Sequence, residues 1–340
     1  MAAHSSNSLG KANALHGNKV VSTLSTKPII EIKDLRKSYE IKTGFRQNKT
    51  LKALDGVSFS LEPRTTLGIV GESGCGKSTL AKVIQQIVSP TSGDIFLNGT
   101  SFREIPQNDY RKKVQMIFQD PYRSLNPRKK AVDIIAEPML INTDKSKEEC
   151  RAQAIQIMEK VGLRSDYAQR YPHMFSGGQR QRIGIARALI MKPEVVICDE
   201  PVSALDVSIQ AQVLNLLMDL QNEFGLTYLF ISHDLSVVRH LVDNVAVMYL
   251  GKIVEYGTRD KIFFDPKHPY TQALLASTPQ ILKENRKPQA QIVRGELPSL
   301  INPPQGCSFH SRCPLAIDQC RSVVPSLDEK QNRKVACHLV

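Results

Sequence analysis

The run Gly71-Glu72-Ser73-Gly74-Cys75-Gly76-Lys77-Ser78-Thr79 constrains this 340-residue chain more than any other feature. It satisfies the pattern G-x-x-x-x-G-K-[ST] in full. TLGIV (66–70) precedes it, a continuous apolar run of the kind that forms a strand buried on both faces. STLAKVIQQI (78–87) follows and reads as a helix. A tight glycine turn between a buried strand and a helix N-terminus leaves backbone N–H groups pointing into one concavity, where they attract an anion. The spacing therefore predicts a phosphate-binding loop. Gly71, Gly74 and Gly76 permit the turn, and the N–H groups from about Gly74 to Thr79 line the nest. Lys77 is placed to reach the β- and γ-phosphates of a nucleoside triphosphate, and the Ser78 hydroxyl to bind Mg²⁺. Glu72, Ser73 and Cys75 complete the loop. Cys75 reads as a tolerated small residue, with a thiolate favoured by the electropositive nest as the alternative.

A second chemical segment is VVICDEP (195–201), four apolar residues ending in two carboxylates. Open α/β sheets bind ligands at the C-terminal edge of their strands. Asp199 is expected to hold Mg²⁺ through water and Glu200 to polarise the attacking water, while Cys198 reads as a small buried hydrophobe. A third is MFSGGQRQR (174–182). Ser176 caps a helix whose first N–H groups Gly177 and Gly178 leave open, with Gln179 in the first turn. One loop already wraps one triphosphate, so a second anion-binding helix start is expected to serve the nucleotide of another subunit.

Strands and helices alternate along the middle of the chain. Strand-like runs are IIEIKDL (29–35), GVSFSLE (56–62), TLGIV, TSGDIFLNG (91–99), VVICD (195–199) and TYLFIS (227–232). Helical runs include SKEECRAQAIQIMEKVG (146–162), GQRQRIGIARALIM (178–191) and VSIQAQVLNLLMDLQNEF (207–224). In the first of these Ser146 and Glu149 form a capping box and Gly162 marks the end. This order predicts an α/β fold around a mostly parallel sheet. Residues 40–50 look like an irregular insertion, residues 1–27 like a disordered tail, and the chain becomes proline-rich and loop-like after about residue 265.

Hydrophobic residues make up 41% of the chain, enough for a sizeable core. No apolar run reaches about 18 residues, the length a membrane-spanning helix needs, and no secretory signal is evident. The formal net charge is +12, which raises nucleic acid or an anionic membrane as partners. Its distribution decides between them. Residues 51–280 carry 27 basic and 25 acidic side chains, so the catalytic middle is nearly neutral and the ends hold the excess. A basic excess confined to the termini, without a motif that reads bases, argues for work beside an anionic membrane and against a nucleic-acid partner.

Four of the seven cysteines, Cys307, Cys313, Cys320 and Cys337, fall in the last 34 residues with the spacing C-x5-C-x6-C-x16-C. An odd total without a secretory signal speaks against a disulfide framework. Four thiolates suit zinc or an iron–sulfur cluster. The C-x2–4-C opening of most structural zinc sites is missing, which leans toward a cluster; zinc and an unmetallated tail stay open, with His310 and His338 as substitute ligands.

With these motifs in order, the chain resembles the ABC-type ATPases, the nucleotide-binding subunits of transporters, over about residues 29–280. SGGQ (176–179) matches the family signature, with Phe175 where leucine is commoner. The resemblance places Gln119 in MIFQDP (116–121) as the Q-loop glutamine, SALD (Ser203, Ala204, Leu205, Asp206) as the D-loop, and His233 in ISHD (231–234) as the switch histidine. It implies that Gln119 joins Ser78 and Asp199 around Mg²⁺, that His233 contacts the γ-phosphate and orients Glu200, and that Tyr39 stacks on adenine. HPYTQALL (268–275), GELPS (295–299), NPPQGC (302–307) and RCP (312–314) resemble the C-terminal extension of peptide- and nickel-type importers.

The resemblance implies a P-loop NTPase of ABC type: a parallel-sheet core, an antiparallel β subdomain and a helical subdomain over 28–265. A small loop-rich extension over 266–340 follows, with a [4Fe–4S] cluster on its four cysteines. It implies ATP and Mg²⁺ as ligands and import of dipeptides or short oligopeptides, with haem or nickel as alternative cargo and a soluble nucleic-acid-acting ATPase as the distant one. It also implies a second, related ATP-binding subunit, two transmembrane permease subunits, an external peptide-binding protein, and a peripheral place on the cytoplasmic face of a bacterial inner membrane.

Overall fold

Period-two alternation in the central strands dictates the layering. In a computed structural model, which describes residues 27–42, 48–277 and 297–340, every residue of β3 (Thr66–Val70), β7 (Val195–Asp199) and β8 (Thr227–Ser232) is buried. Leu67, Ile69, Val195, Ile197, Leu229 and Ile231 face one core, while Val70, Val196, Cys198, Tyr228 and Phe230 face a second. A strand apolar on both faces must be covered on both.

The cover on one side is a four-stranded antiparallel sheet in the order β2-β1-β4-β5, made of β1 (Ile30–Lys42), β2 (Asn48–Leu61), β4 (Ser92–Leu97) and β5 (Thr100–Ser101). Helix α1 (Lys77–Ile84) is enclosed in the same core through Leu80, Ala81, Val83 and Ile84, and α2 (Gln107–Lys113) adds Tyr110. The other side is helical. The short α3 (Pro121–Ser124) leads to α4 (Ala131–Asn142), α5 (Lys147–Lys160) and α6 (Gly177–Leu189), which pack on one another, with α7 (Val207–Phe224) and α8 (Leu235–Leu241) along the sheet.

The main sheet has eight strands in the order β11-β12-β10-β9-β3-β8-β7-β6, adding β6 (Val114–Ile117), β9 (Asn244–Tyr249), β10 (Lys252–Thr258), β11 (Asp328–Lys330) and β12 (Arg333–Val335). β9, β3, β8, β7 and β6 run parallel; β10, β12 and β11 complete one edge antiparallel. Beyond α9 (Arg259–Phe264), the segment after about residue 265 is less loop-like than its sequence reads. It forms α10 (Pro269–Ala276), α11 (Gln319–Ser322) and the two edge strands, with Glu255 paired to Val335 across β10 and β12.

Local signals explain most element ends. Ser146 and Glu149 make both bonds of a capping box at the start of α5, and Gly162 and Gly225 take φ of 73° and 65° just past α5 and α7, where a left-handed residue closes a helix. Two expectations change. Helix α1 ends at Ile84, because Gln86 turns left-handed at φ 56° and stops it. The described ends of the supposed irregular stretch at 40–50 are strand instead, with Tyr39 paired to Leu51, Glu40 to Thr50 and Ile41 to Lys49. The reading of residues 1–27 as a tail falls, but for Lys27, outside the described residues.

Candidate nucleotide site

A cavity of about 540 Å³ opens at the C-terminal edge of the parallel strands, lined by Tyr39, Leu51, Ala53, Ser73, Gly74, Gly76, Lys77, Ser78, Thr79, Gln119, Glu200, His233 and Leu300. The volume suits a ligand of nucleotide size. Each wall has a local cause. β3 delivers the glycine loop, and Gly76 takes φ 112° with its α-carbon so close to Ala53 that an added Cβ would lie 2.4 Å from the Ala53 carbonyl oxygen. Only glycine fits there. Lys77 is buried and its Nζ donates to the carbonyl oxygens of Gly71 (2.7 Å) and Glu72 (3.0 Å), so the ammonium lies across the loop.

The acidic pair sits at the end of β7. Asp199 is buried, and its Oδ1 accepts the Ser78 hydroxyl at 3.3 Å. Burial raises its pKa above the usual carboxylate range, against the Ser78 bond, which lowers it. A cation there would relieve that desolvation cost. Glu200 takes a left-handed φ of 47°, a conformation that costs about 1–2 kcal/mol for a residue with a Cβ, and its N–H donates to Ile231 O at 3.0 Å. The turn aims its carboxylate into the cavity, where Oε2 accepts Gln119 Nε2 at 2.7 Å and Oε1 lies 3.0 Å from His233 Nδ1. The structure thus brings Gln119, Glu200 and His233 into direct contact although 81 and 33 residues separate the two partners from Glu200. Tyr39 reaches the same cavity from β1, and Lys37 Nζ lies 5.0 Å from its ring centroid.

Three loop residues lie behind this lining. Gly71 and Cys75 are buried, and the Glu72 carboxylate faces Arg312. The thiolate alternative for Cys75 is corrected: the residue is fully buried in the core shared with α1, and burial raises its pKa, outweighing the nearby Lys77. The thiol, not the thiolate, is favoured. Cys198 is likewise fully buried, with its pKa raised by burial.

Ser176 and Gln179 form a reciprocal capping box at the start of α6, with Gln179 Oε1 3.0 Å from Ser176 N. Ser176 and Gly177 are exposed, and none of residues 176–179 lines the cavity. Gly178 is buried because an added Cβ would lie 2.5 Å from Ile209 Cγ2 at the start of α7. Phe175 fills the helical core edge-on to Tyr167, at 6.0 Å between centroids. Ser203, Ala204 and Asp206 are exposed and Leu205 half-buried; Ser203 Oγ donates to the Glu200 backbone carbonyl at 3.1 Å, tying this turn to the end of β7.

All seven cysteines are free. Burial raises the pKa of Cys307, Cys313 and Cys337, against backbone N–H bonds from Phe309, Leu315 and Leu339, and with further upward pushes from the neighbouring tail cysteines. The four tail thiols therefore stand within electrostatic reach of one another. No group of three or more His, Cys, Asp or Glu side chains among the described residues is disposed to hold a metal ion, however, so the expected ready-made metal site is not formed. Neutral thiols pack as small apolar groups and need not converge as ligands do. The substitute ligands are also engaged: His310 Nδ1 lies 2.9 Å from Cys307 O and His338 Nε2 3.0 Å from Val323 O.

Sequence reasoning missed Leu51, Ala53 and Leu300 as cavity walls, and Tyr270 and Arg312 as partners of the glycine loop. The HPY and RCP runs were the available signal, but nothing local in them names the loop as their target.

Residues 54–203 match the ABC transporter family, and residues 254–320 the C-terminal region of oligopeptide/dipeptide transporters. The chain is 54% identical over 317 residues to the dipeptide transport ATP-binding protein DppF of Escherichia coli (strain K12), covering 92% of this chain and 95% of that protein. It is 54% identical to the di/tripeptide transport ATP-binding protein DppF of Pseudomonas aeruginosa (strain UCBPP-PA14), with 91% and 97% covered. It is 50% identical to the oligopeptide transport ATP-binding protein OppF of E. coli, with 93% and 97% covered. Among solved structures, a dimeric post-hydrolysis state of the ATP-binding cassette MJ0796 with ADP and Pi superposes with a TM-score of 0.60 at 26% identity, over 68% of this chain and 98% of that one. The cbiO1 subunit of Clostridium perfringens gives 0.60 at 27% identity, with 70% and 91% covered. The chain belongs to the ATP-binding subunits of ABC transporters, in the group that carries the oligopeptide/dipeptide C-terminal region.

Proposed function

We propose that this chain hydrolyses ATP to power import of dipeptides or short oligopeptides. The observation that carries the catalytic part is the convergence of Lys77, Ser78, Gln119, Glu200 and His233 on one cavity. Phosphoryl transfer needs positioning and charge neutralisation more than covalent chemistry, and this set supplies both. Tyr39 stacks on the adenine. The loop N–H groups and Lys77 hold the phosphates, Lys77 exchanging its two carbonyl partners for phosphate oxygens. Glu200 orients and polarises the attacking water. His233 fixes one Glu200 oxygen and Gln119 the other, so the carboxylate is aimed before water arrives. Ser78, Asp199 and Gln119 are the residues that would hold Mg²⁺, which neutralises phosphate charge when bound.

The signature residues Ser176–Gln179 and the D-loop 203–206 line no part of this cavity, which supports their serving the nucleotide of a second ATP-binding subunit. Residues 28–265 form the ATPase body in this reading and 266–340 its accessory extension. No helix among the described residues is long and apolar enough to cross a membrane, so the translocation path falls to two permease subunits. An external peptide-binding protein delivers cargo, and this subunit lies on the cytoplasmic face of a bacterial inner membrane. The cargo class rests on the relatives, all three of which are named for peptides, whereas none is named for haem or nickel.

For the tail we propose a [4Fe–4S] cluster. Four mutually coupled thiols support it, three of them already accepting backbone N–H bonds of the kind that stabilise thiolates.

The test of function is uptake in proteoliposomes holding the permeases and both ATPases. ATP-dependent accumulation of labelled dipeptide is expected; accumulation of nickel or haem with no peptide uptake would overturn the cargo. Iron content and visible absorption of anaerobically purified protein test the cluster, and a colourless, iron-free, fully active transporter would sink it.

A further inference from the structure

The phosphate-binding loop contains a carboxylate that the chemistry above does not use. Glu72 sits in a loop built to receive a polyanion, where an unpaired negative charge opposes binding. It lines no part of the cavity. Its two oxygens are taken by the two terminal nitrogens of Arg312, Nη1 to Oε2 at 2.9 Å and Nη2 to Oε1 at 3.1 Å. This is the parallel fork that makes arginine–carboxylate pairs strong and directional. The Arg312 side chain is only 9% exposed. Burial acts against its charge, yet the bonds to Glu72 and Tyr249 leave the guanidinium above its ordinary value.

The same residue is gripped twice more. Glu72 N–H donates to the Tyr270 hydroxyl at 2.9 Å, and Glu72 O accepts Lys77 Nζ at 3.0 Å. Tyr270 and Arg312 both come from the C-terminal extension, and Tyr249, Tyr270 and Phe309 interlock beneath them with centroids 4.6 to 5.4 Å apart. The extension also reaches the cavity itself. Leu300 is part of its wall and accepts the Lys52 N–H through its carbonyl at 3.4 Å. The residue whose carbonyl steadies Lys77 is therefore itself held, at backbone and side chain, from 198 and 240 residues away.

We propose that Arg312 is a positioning residue for ATP binding, which acts through Glu72 to neutralise and fix the phosphate-binding loop. It touches no phosphate. Its loss leaves the Glu72 charge unpaired beside the triphosphate and frees the loop on the Lys77 side. Both effects weaken ground state and transition state alike, which raises KM and spares kcat. A residue that merely held the fold would lower the amount of active protein and leave KM alone.

The proposal rests on the ATPase reading, so hydrolysis by the wild-type assembled transporter is measured first; its absence would fail that reading and not this one. In the same complex, Arg312→Met is expected to raise KM for Mg-ATP about tenfold, within the range of a lost charged hydrogen-bond pair, with kcat within about twofold. Adding Glu72→Gln to Arg312→Met removes the orphaned charge and should bring KM most of the way back. Should Arg312→Met fail to assemble, Arg312→Lys carries the test, since it keeps the charge and loses the fork; a rise of about threefold is expected. An unchanged KM in whichever variant assembles, or a double variant no better than Arg312→Met, would overturn the proposal.

Discussion

Acid should loosen the C-terminal extension from the ATPase body, and His268 is the group that makes this measurable. The ring is 1% exposed. Its Nδ1 accepts the Tyr270 N–H at 3.0 Å and so caps α10, while the backbone N–H of His268 donates to Glu255 Oε2 at 3.1 Å. Burial lowers its pKa from 6.5 to about 4, against a backbone bond to Ala336 that raises it. A histidine whose folded pKa lies below its unfolded value binds its proton more readily in the unfolded chain. Its contribution to stability is complete above about pH 6.5 and lost as pH falls toward about 4. At 1.36 kcal/mol per unit, the whole effect is about 3 kcal/mol, of which about 2 kcal/mol is gone by about pH 5.

Glu255 works in the opposite direction. It is fully buried, accepts N–H bonds from Lys267 and His268, and lies 3.7 Å from Arg333. Burial, its largest influence, raises its pKa, so its proton favours the folded state at low pH. A single pH curve would mix the two. The difference between wild type and His268→Asn isolates the histidine, because asparagine keeps a capping acceptor and does not titrate. Urea unfolding at about pH 7 and about pH 5 should show the wild type losing about 2 kcal/mol more than the variant. Equal losses in both would show that the folded chain protonates the imidazole as readily as the unfolded chain does, and the argument would fall.

Other outcomes follow from the same geometry. Glu200→Gln should keep ATP bound and lower turnover at least about 100-fold in the assembled complex, measured as phosphate release against retained nucleotide; wild-type hydrolysis would refute the assignment. Gly178→Ala forces a Cβ to within 2.5 Å of Ile209, so it should cost about 1–3 kcal/mol in thermal or urea unfolding and impair hydrolysis. An unaltered protein would mean that α7 yields there at no cost. Cys75 should resist a thiol-alkylating reagent in the folded chain and react after denaturation, as peptide mass spectrometry would reveal; equal labelling in both states contradicts its burial.

How far these features were legible depends on the range of the physics behind each. TLGIV, VVICD and TYLFIS are strands end to end because burial on both faces leaves an apolar run no other option. The capping box of Ser146 and Glu149 could be read because its two partners lie within one turn. Gln86 could not, since its left-handed turn follows from how α1 meets the strands around it. The thiolate alternative for Cys75 fails for a related reason. The charge of Lys77 is visible in sequence, but the depth of the thiol below the loop is not, and depth decides its protonation.

The extension is the harder case, and it shows what a motif leaves out. HPY and RCP name residue types without naming their targets. Tyr270 and Arg312 converge on Glu72 from two segments of the extension 42 residues apart, while β12 joins β10 at the sheet edge and holds the chain end against the same body. Arg333 secures that edge, its Nη2 bonding Asp265 at 2.7 Å beside buried Glu255. A carboxylate in a phosphate-binding loop looks like an error until the opposing arginine is placed. Once placed, the pair makes the extension a structural condition for a neutral, well-held loop, and ATP binding in this chain depends on residues far outside the segment that wraps the phosphates.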